Sequence, residues 1–186
     1  MGPMFAGKTT MLLKLVAEAE QKDQRVALIT NALDKRYGEK QFATHSGMSR
    51  PALAVRQLQS LLDERRESNW HLDNFDVIAI DESQFFPDLF DFCVKAVDEK
   101  NKTVIAAGLS GDFERNMFGD IVRLVPHADE VAVLKARCAF CDEPAPFTLR
   151  LVANEEQELV GGKDQYQPVC RHHYELLSDV RRDFRK

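Results

Sequence analysis

The chain has 186 residues, 44% of them hydrophobic and 30% charged, and a formal net charge of −5. That length supports one domain with its own core and a small appendage. The acidic balance argues against a nucleic-acid backbone as partner, and no apolar run approaches the roughly 18 residues of a membrane-spanning helix.

The chain opens on Gly2-Pro3-Met4-Phe5-Ala6-Gly7-Lys8-Thr9, which fits the phosphate-loop pattern G-x-x-x-x-G-K-[ST]. Glycines let such a loop curl so that its N–H groups point at phosphate oxygens. Lys8 would reach the β- and γ-phosphates, and the Thr9 hydroxyl would hold Mg²⁺. Met11, Leu12, Leu15 and Val16 give the next stretch one apolar face, so Lys8 to about Gln21 is expected as a helix with its N-terminus toward the phosphates. A phosphate loop ordinarily follows a buried strand, and that first strand is expected to be missing from the sequence. No secretory leader is expected, since the first residues are the loop itself.

Val26–Thr30 is a short apolar run and is expected as a buried strand. The polar stretch 31–50 has no periodicity. It is long for a plain connection, so Asp34, Lys35, Arg36 and Tyr37 are either phosphate or substrate contacts or solvated loop residues. Leu53 to about Glu67 carries Val55, Leu58, Leu61 and Leu62 at helical spacing, so a helix is expected. A connector with the single tryptophan, Trp70, leads to the strand Val77–Ile80 and then to Asp81-Glu82. A helix over Leu89–Lys100, a strand over Thr103–Gly108 and a glycine-containing loop over Leu109–Phe118 follow. Next come a short helix over Asp120–Val125 ended by Pro126, and a strand over Val131–Lys135. Alternating strands and helices imply a parallel sheet covered by helices on both faces.

After Arg137 the pattern changes. Phe147–Val152 is expected as a strand, 154–156 as a turn, and Tyr174–Phe184 as a last helix. The chain therefore divides into an α/β domain over 1–136 and a small lobe over 137–186.

An acid at the carboxyl end of a buried strand is the second half of a phosphate-loop site. Asp81 would hold Mg²⁺ opposite Thr9. Glu82 is then left to orient water in an ATPase, or to take a proton from an acceptor hydroxyl in a kinase. Cys138 and Cys141, with Cys170 and His172 or His173, form two short-spaced pairs able to close a tetrahedral zinc site, and the C-x₂-H spacing favours His173. Four protein ligands leave no open position, so the site is structural. Cys93 stands apart in an apolar helix pattern, and this cysteine usage suits a reducing, intracellular compartment.

The loop Gly-Pro-Met-Phe-Ala-Gly-Lys-Thr-Thr, the segment Asp81-Glu82-Ser83-Gln84-Phe85-Phe86, the run Gly111-Asp112-Phe113 with Phe118-Gly119, the two cysteine knuckles, and Gly161-Gly162 through Tyr166 occur in that order. Together they resemble the cytosolic, zinc-containing (type II) thymidine kinases, over almost the whole chain. The resemblance implies a P-loop NTPase-type sheet with a zinc lobe carrying a lasso loop over the nucleoside. It implies transfer of the γ-phosphate of ATP to the 5′-hydroxyl of thymidine, and of deoxyuridine. It also implies a homotetramer in the cytoplasm, feedback by thymidine triphosphate, and no nucleic-acid or membrane partner.

By position, Glu82 would be the general base. Gly2, Pro3, Met4, Phe5, Ala6, Gly7, Lys8, Thr9 and Thr10, with Asp34 and Arg36, would lie at the ATP phosphates, and Thr9 and Asp81 would hold Mg²⁺. Met4, Phe85, Leu109, Phe113, Phe118, Thr148, Val160, Gly161, Gly162 and Tyr166 would line the nucleoside site. The last zinc ligand is His where many relatives have Cys. A non-catalytic relative that keeps the fold and the zinc, a zinc-bearing nucleic-acid binder, which the acidic charge disfavours, and an ATPase that uses water are the competing expectations.

Overall fold

The computed structural model describes residues 1–32, 41–43, 49–62, 70–153, 156–157, 159 and 161–183. Contacts group the chain into two compact units. One comprises Thr9–Gly108 and Gly119–Val131; the other comprises Met1–Lys8, Leu109–Phe118 and Ala132–Lys186. The division expected after residue 136 follows chain order. The contacts instead place the opening loop and Leu109–Phe118 with the C-terminal lobe.

In the first unit, helix α1 (Lys8–Glu20, of which Lys8 belongs to the other unit) leads into strand β1 (Val26–Asn31). Strands β2 (Gln41–Ala43) and β3 (Ser49–Pro51) pair with each other antiparallel. Strands β4 (Leu53–Val55), β5 (Val77–Ile80) and β6 (Thr103–Ala106) complete a four-stranded parallel sheet with β1, in the order β4-β1-β5-β6. The register pairs Ile29 with Leu53 and with Ile80. β5 is central, and its four residues are all buried, as a run with no polar alternation requires.

One face of the sheet is covered by α1. Its Leu12, Leu13 and Val16 pack with Leu28, Ala79 and Ala107, and each such aliphatic side chain contributes about 1.5–3 kcal/mol on full burial. Ile78 and Ile80 point to the other face by strand alternation. Helix α2 (Leu89–Val94) continues through a wider turn over Lys95–Glu99 that lies against β6. The parallel α/β architecture read from the sequence is therefore present.

Three local expectations are corrected. Over its described part, 53–62, the stretch expected as a helix is not one: Leu53–Val55 is a sheet strand and Gln59–Leu61 a single 3₁₀ turn, and the remainder to Glu67 lies outside the described residues. Pairing with β1 overrides local helical preference. The Leu58/Leu61 spacing equally suits a three-residue turn, which buries both. Val131–Lys135 is not a strand. Among the described residues its backbone bonds go to one residue: the Met1 amino group donates to the Ala132 carbonyl, and the Leu134 N–H donates to the Met1 carbonyl. Two bonds to one residue do not make a ladder, and Val133 is 63% exposed. Finally, Ile121–His127 is a 3₁₀ run that carries Pro126 within it rather than a helix ended by that proline.

In the second unit, strands β7 (Ala136–Arg137) and β8 (Pro144–Ala145) pair antiparallel, as do β9 (Phe147–Arg150) and β10 (Tyr166–Val169). Helix α3 (Arg171–Asp183) closes the lobe. The lobe's core is small: Cys138, Ala145, Leu149, Val169, Cys170 and Tyr174. Among the described residues, no helix is long and apolar enough to cross a membrane.

Candidate functional site

Within the sheet unit, the end of β5 brings two expected magnesium ligands together. The Thr9 hydroxyl donates to Asp81 Oδ2 at 2.8 Å, and Asp81 is 5% exposed. A parallel strand delivers its last residue to the carboxyl edge of the sheet, where α/β proteins place their ligands. The Asp81 N–H donates to the Ile29 carbonyl, which fixes that residue to β1. An alcohol and a carboxylate oxygen at this separation suit a hard divalent cation that keeps most of its waters.

Glu82 follows with φ 47° and ψ 40°, a left-handed backbone uncommon for a residue with a Cβ. The reversal starts the 3₁₀ turn Ser83–Phe85. Glu82 is half-buried, and its Oε2 accepts a 2.7 Å hydrogen bond from the Gln84 amide. The carbonyl of Phe85 accepts from the Asn31 side chain at 3.1 Å, which ties the turn to β1. Thr10 sits exposed in the first turn of α1.

The loop residues Gly2, Pro3, Met4, Phe5, Ala6, Gly7 and Lys8 lie in the other unit. Lys8 Nζ donates to the Pro3 carbonyl at 2.7 Å, across the loop. The Met4 N–H donates to Thr148 Oγ1 at 3.0 Å, so two expected nucleoside contacts meet. Two further members of that expected set, Phe113 and Tyr166, meet at a residue not singled out from the sequence, Arg150, which is 1% exposed. Its guanidinium lies 3.7 Å from the Phe113 ring centre and donates to the Tyr166 hydroxyl and to the carbonyls of Glu156 and Gln157. The Tyr166 hydroxyl in turn donates to the Leu159 carbonyl at 2.7 Å. Phe113 is held from behind as well, because its carbonyl accepts from the Tyr174 hydroxyl at 2.7 Å.

The Gly162 carbonyl accepts from the N–H groups of Gln165 and Tyr166, forming the turn into β10 beside Gly161. Leu109 and Phe118 are buried. Asp34, Arg36 and Val160 lie outside the described residues.

Arg150 had one sequence signal. In β9, Thr148 and Arg150 are two apart and share a face, so a charged residue in the strand accompanies an expected pocket residue. Replacing Arg150 by Met removes the donors to two carbonyls and one hydroxyl. It is expected to cost about 2–4 kcal/mol, because the buried bonds to the Tyr166 hydroxyl and the packing of the guanidinium on the Phe113 ring are lost together. A chemical denaturation midpoint unchanged from the parent would show that these contacts add nothing to stability.

The ligand atoms of Cys138, Cys141, Cys170 and His173 all lie within 4.8 Å of one another. The Cys141 and Cys170 sulfurs are 3.8 Å apart, and His173 Nδ1 lies 3.7, 3.6 and 3.2 Å from the sulfurs of Cys138, Cys141 and Cys170. A tetrahedron with Zn–S bonds of about 2.3 Å has edges of about 3.8 Å, so the donor set fits zinc in both number and spacing. His173, not His172, completes the set. Burial raises the Cys138 thiol, but N–H donors from Cys170, Phe140 and Cys141 outweigh this and bring it down to about 7. That favours the thiolate a metal needs.

The sequence profile of the thymidine kinase family matches residues 1–174. The chain belongs to the thymidine kinase family. A thymidine kinase of Oryza sativa subsp. japonica is 49% identical over 174 residues, which are 93% of this chain and 64% of that protein. The chain thus spans somewhat less than two thirds of that relative's length. The cytosolic thymidine kinase of Gallus gallus is 41% identical over 173 residues, covering 93% of this chain and 74% of the relative. A monkeypox virus thymidine kinase is 39% identical over 173 residues, covering 93% of each. Within the matched residues lie Lys8, the Asp81-Glu82 strand end and the Cys138, Cys141, Cys170 and His173 cluster.

Proposed function

We propose that this chain is a thymidine kinase that moves the γ-phosphate of ATP to the 5′-hydroxyl of thymidine, giving thymidine monophosphate in nucleotide salvage, and that it also accepts deoxyuridine. The observation that carries the reading is the Thr9–Asp81 hydrogen bond of 2.8 Å at the end of β5, with Glu82 next in the chain. Family membership supplies the substrate class.

Phosphoryl transfer asks the protein chiefly for positioning and charge neutralisation. In this reading Lys8 and the N–H groups of residues 2–9 bind the ATP phosphates. Thr9 and Asp81 hold Mg²⁺, which when bound spreads the charge that develops on the transferred group. Glu82 takes the proton from the 5′-hydroxyl as the bond to phosphorus forms. Met4, Phe85, Leu109, Phe113, Phe118, Thr148 and Tyr166 line the nucleoside site, and the backbone around 160–162 reads the base. Asp34 and Arg36 assist at the phosphates. Zinc on the Cys₃His set holds the lobe. A homotetramer in the cytoplasm, inhibited by thymidine triphosphate, completes the proposal.

The test is ADP release from Mg-ATP with thymidine, deoxyuridine, deoxycytidine or no acceptor. The reading expects release with the first two nucleosides and near-background release with the others. Equal release without any nucleoside would make the protein an ATPase. No release, with the fold intact and zinc bound, would make it a non-catalytic relative.

A further inference from the structure

Glu82 stands on a left-handed backbone two residues past the end of β5, so its side chain leaves the sheet in a different direction from that of Asp81. A glutamate in such a place, half-buried and with several rotamers, has no intrinsic reason to hold one orientation. The 2.7 Å bond from Gln84 Nε2 to Glu82 Oε2 supplies one. This length lies at the short end of the usual N–H···O range.

The donor itself has little freedom. Gln84 is 4% exposed. A Cβ at Gly119 would lie 2.8 Å from the Cα of Gln84, and the backbone there has φ 63°, so both space and conformation call for glycine. A Cβ at Gly108 would lie 2.8 Å from Gln84 Oε1. The backbone of the turn is pinned by the Ser83 N–H, which donates to the Ala107 carbonyl at 3.0 Å. Two glycines on separate segments thus make room for the backbone and the amide head of one glutamine, and that head holds the carboxylate.

We propose that Gln84 is a positioning residue for phosphoryl transfer: its amide fixes the plane of the Glu82 carboxylate so that an oxygen meets the acceptor hydroxyl in line. An amide does this without competing for the proton, which a lysine, a histidine or an acid at the same place would do. This inference rests on Glu82 being the general base, as in the proposed function. Gln84 acts through Glu82, so its loss lowers the rate of transfer and not the binding of either substrate.

Two variants test it. Gln84→Met keeps length and apolar volume but removes the donor, and is expected to lower kcat about 10- to 100-fold with both KM values within about twofold. Gln84→Glu keeps the shape but sets a carboxylate against a carboxylate. It is expected to move the acid limb of the kcat–pH profile upward by about one unit, because two like charges in one site resist joint ionisation. An unchanged acid limb in Gln84→Glu, or raised KM with kcat intact in Gln84→Met, would overturn the proposal. Gln84→Glu carries the test if Gln84→Met does not fold. If the parent protein shows no thymidine-dependent transfer, the proposed function fails instead, and the two failures are told apart by the parent's own rate.

Discussion

Glu82→Gln is expected to lower kcat for thymidine phosphorylation by about 10²- to 10⁴-fold, the usual worth of a general base. The substitution is nearly isosteric. The glutamine carbonyl can still accept the Gln84 N–H that Glu82 Oε2 accepts now. The 3₁₀ turn, the Asn31–Phe85 bond and the Thr9–Asp81 pair involve other atoms and stay in place. Calorimetric affinities for ATP and thymidine should therefore change by no more than a few fold, and the thermal midpoint by little. A variant with near-normal turnover would remove Glu82 from the base role. A variant that loses ATP binding would mean that the carboxylate acts on phosphates or metal.

Zinc removal is the second large effect. Structural zinc sites contribute apparent binding free energies of about 10–16 kcal/mol in small peptides, as much as the whole stability of an ordinary domain, about 5–15 kcal/mol. The lobe has only a small apolar core to set against that loss, and two of its buried members are the ligands Cys138 and Cys170. Cys170 sits at the junction of β10 and α3, so its sulfur ties the strand to the helix that carries His173. The purified protein should hold about one zinc per chain. A strong chelator, or Cys170→Ser, should release it and abolish amide protection in β9 and β10. Since β9 and β10 carry Thr148, Arg150 and Tyr166, thymidine binding should go with it. Retained protection in metal-free protein would show that the lobe folds on its own contacts.

What the sequence revealed, it revealed where one residue pattern admits one structure. Val77–Ile80 has four apolar residues and then two acids, and only a buried strand reaching the sheet edge satisfies both halves. The cysteine knuckles behaved likewise, because metal spacing leaves few alternatives. The failures came where neighbours decide. Leu53–Val55 is short enough to be strand or helix, and its pairing with β1 settled the matter. Val131–Lys135 has strand composition, but among the described residues its backbone bonds go to Met1. Gln84 and Arg150 were not singled out because a glutamine's or arginine's role depends on what surrounds it. The close approach of Gly108 and Gly119 to Gln84, and the rings and carbonyls around Arg150, come from segments distant in sequence.

The most direct measurement follows the phosphate itself. ATP labelled at the γ-phosphate is incubated with thymidine and Mg²⁺, and the products are separated and identified by mass. The label should appear on the 5′-oxygen of thymidine, and about 10²- to 10⁴-fold more slowly with Glu82→Gln. Label found only in inorganic phosphate, at a rate indifferent to thymidine, would contradict it.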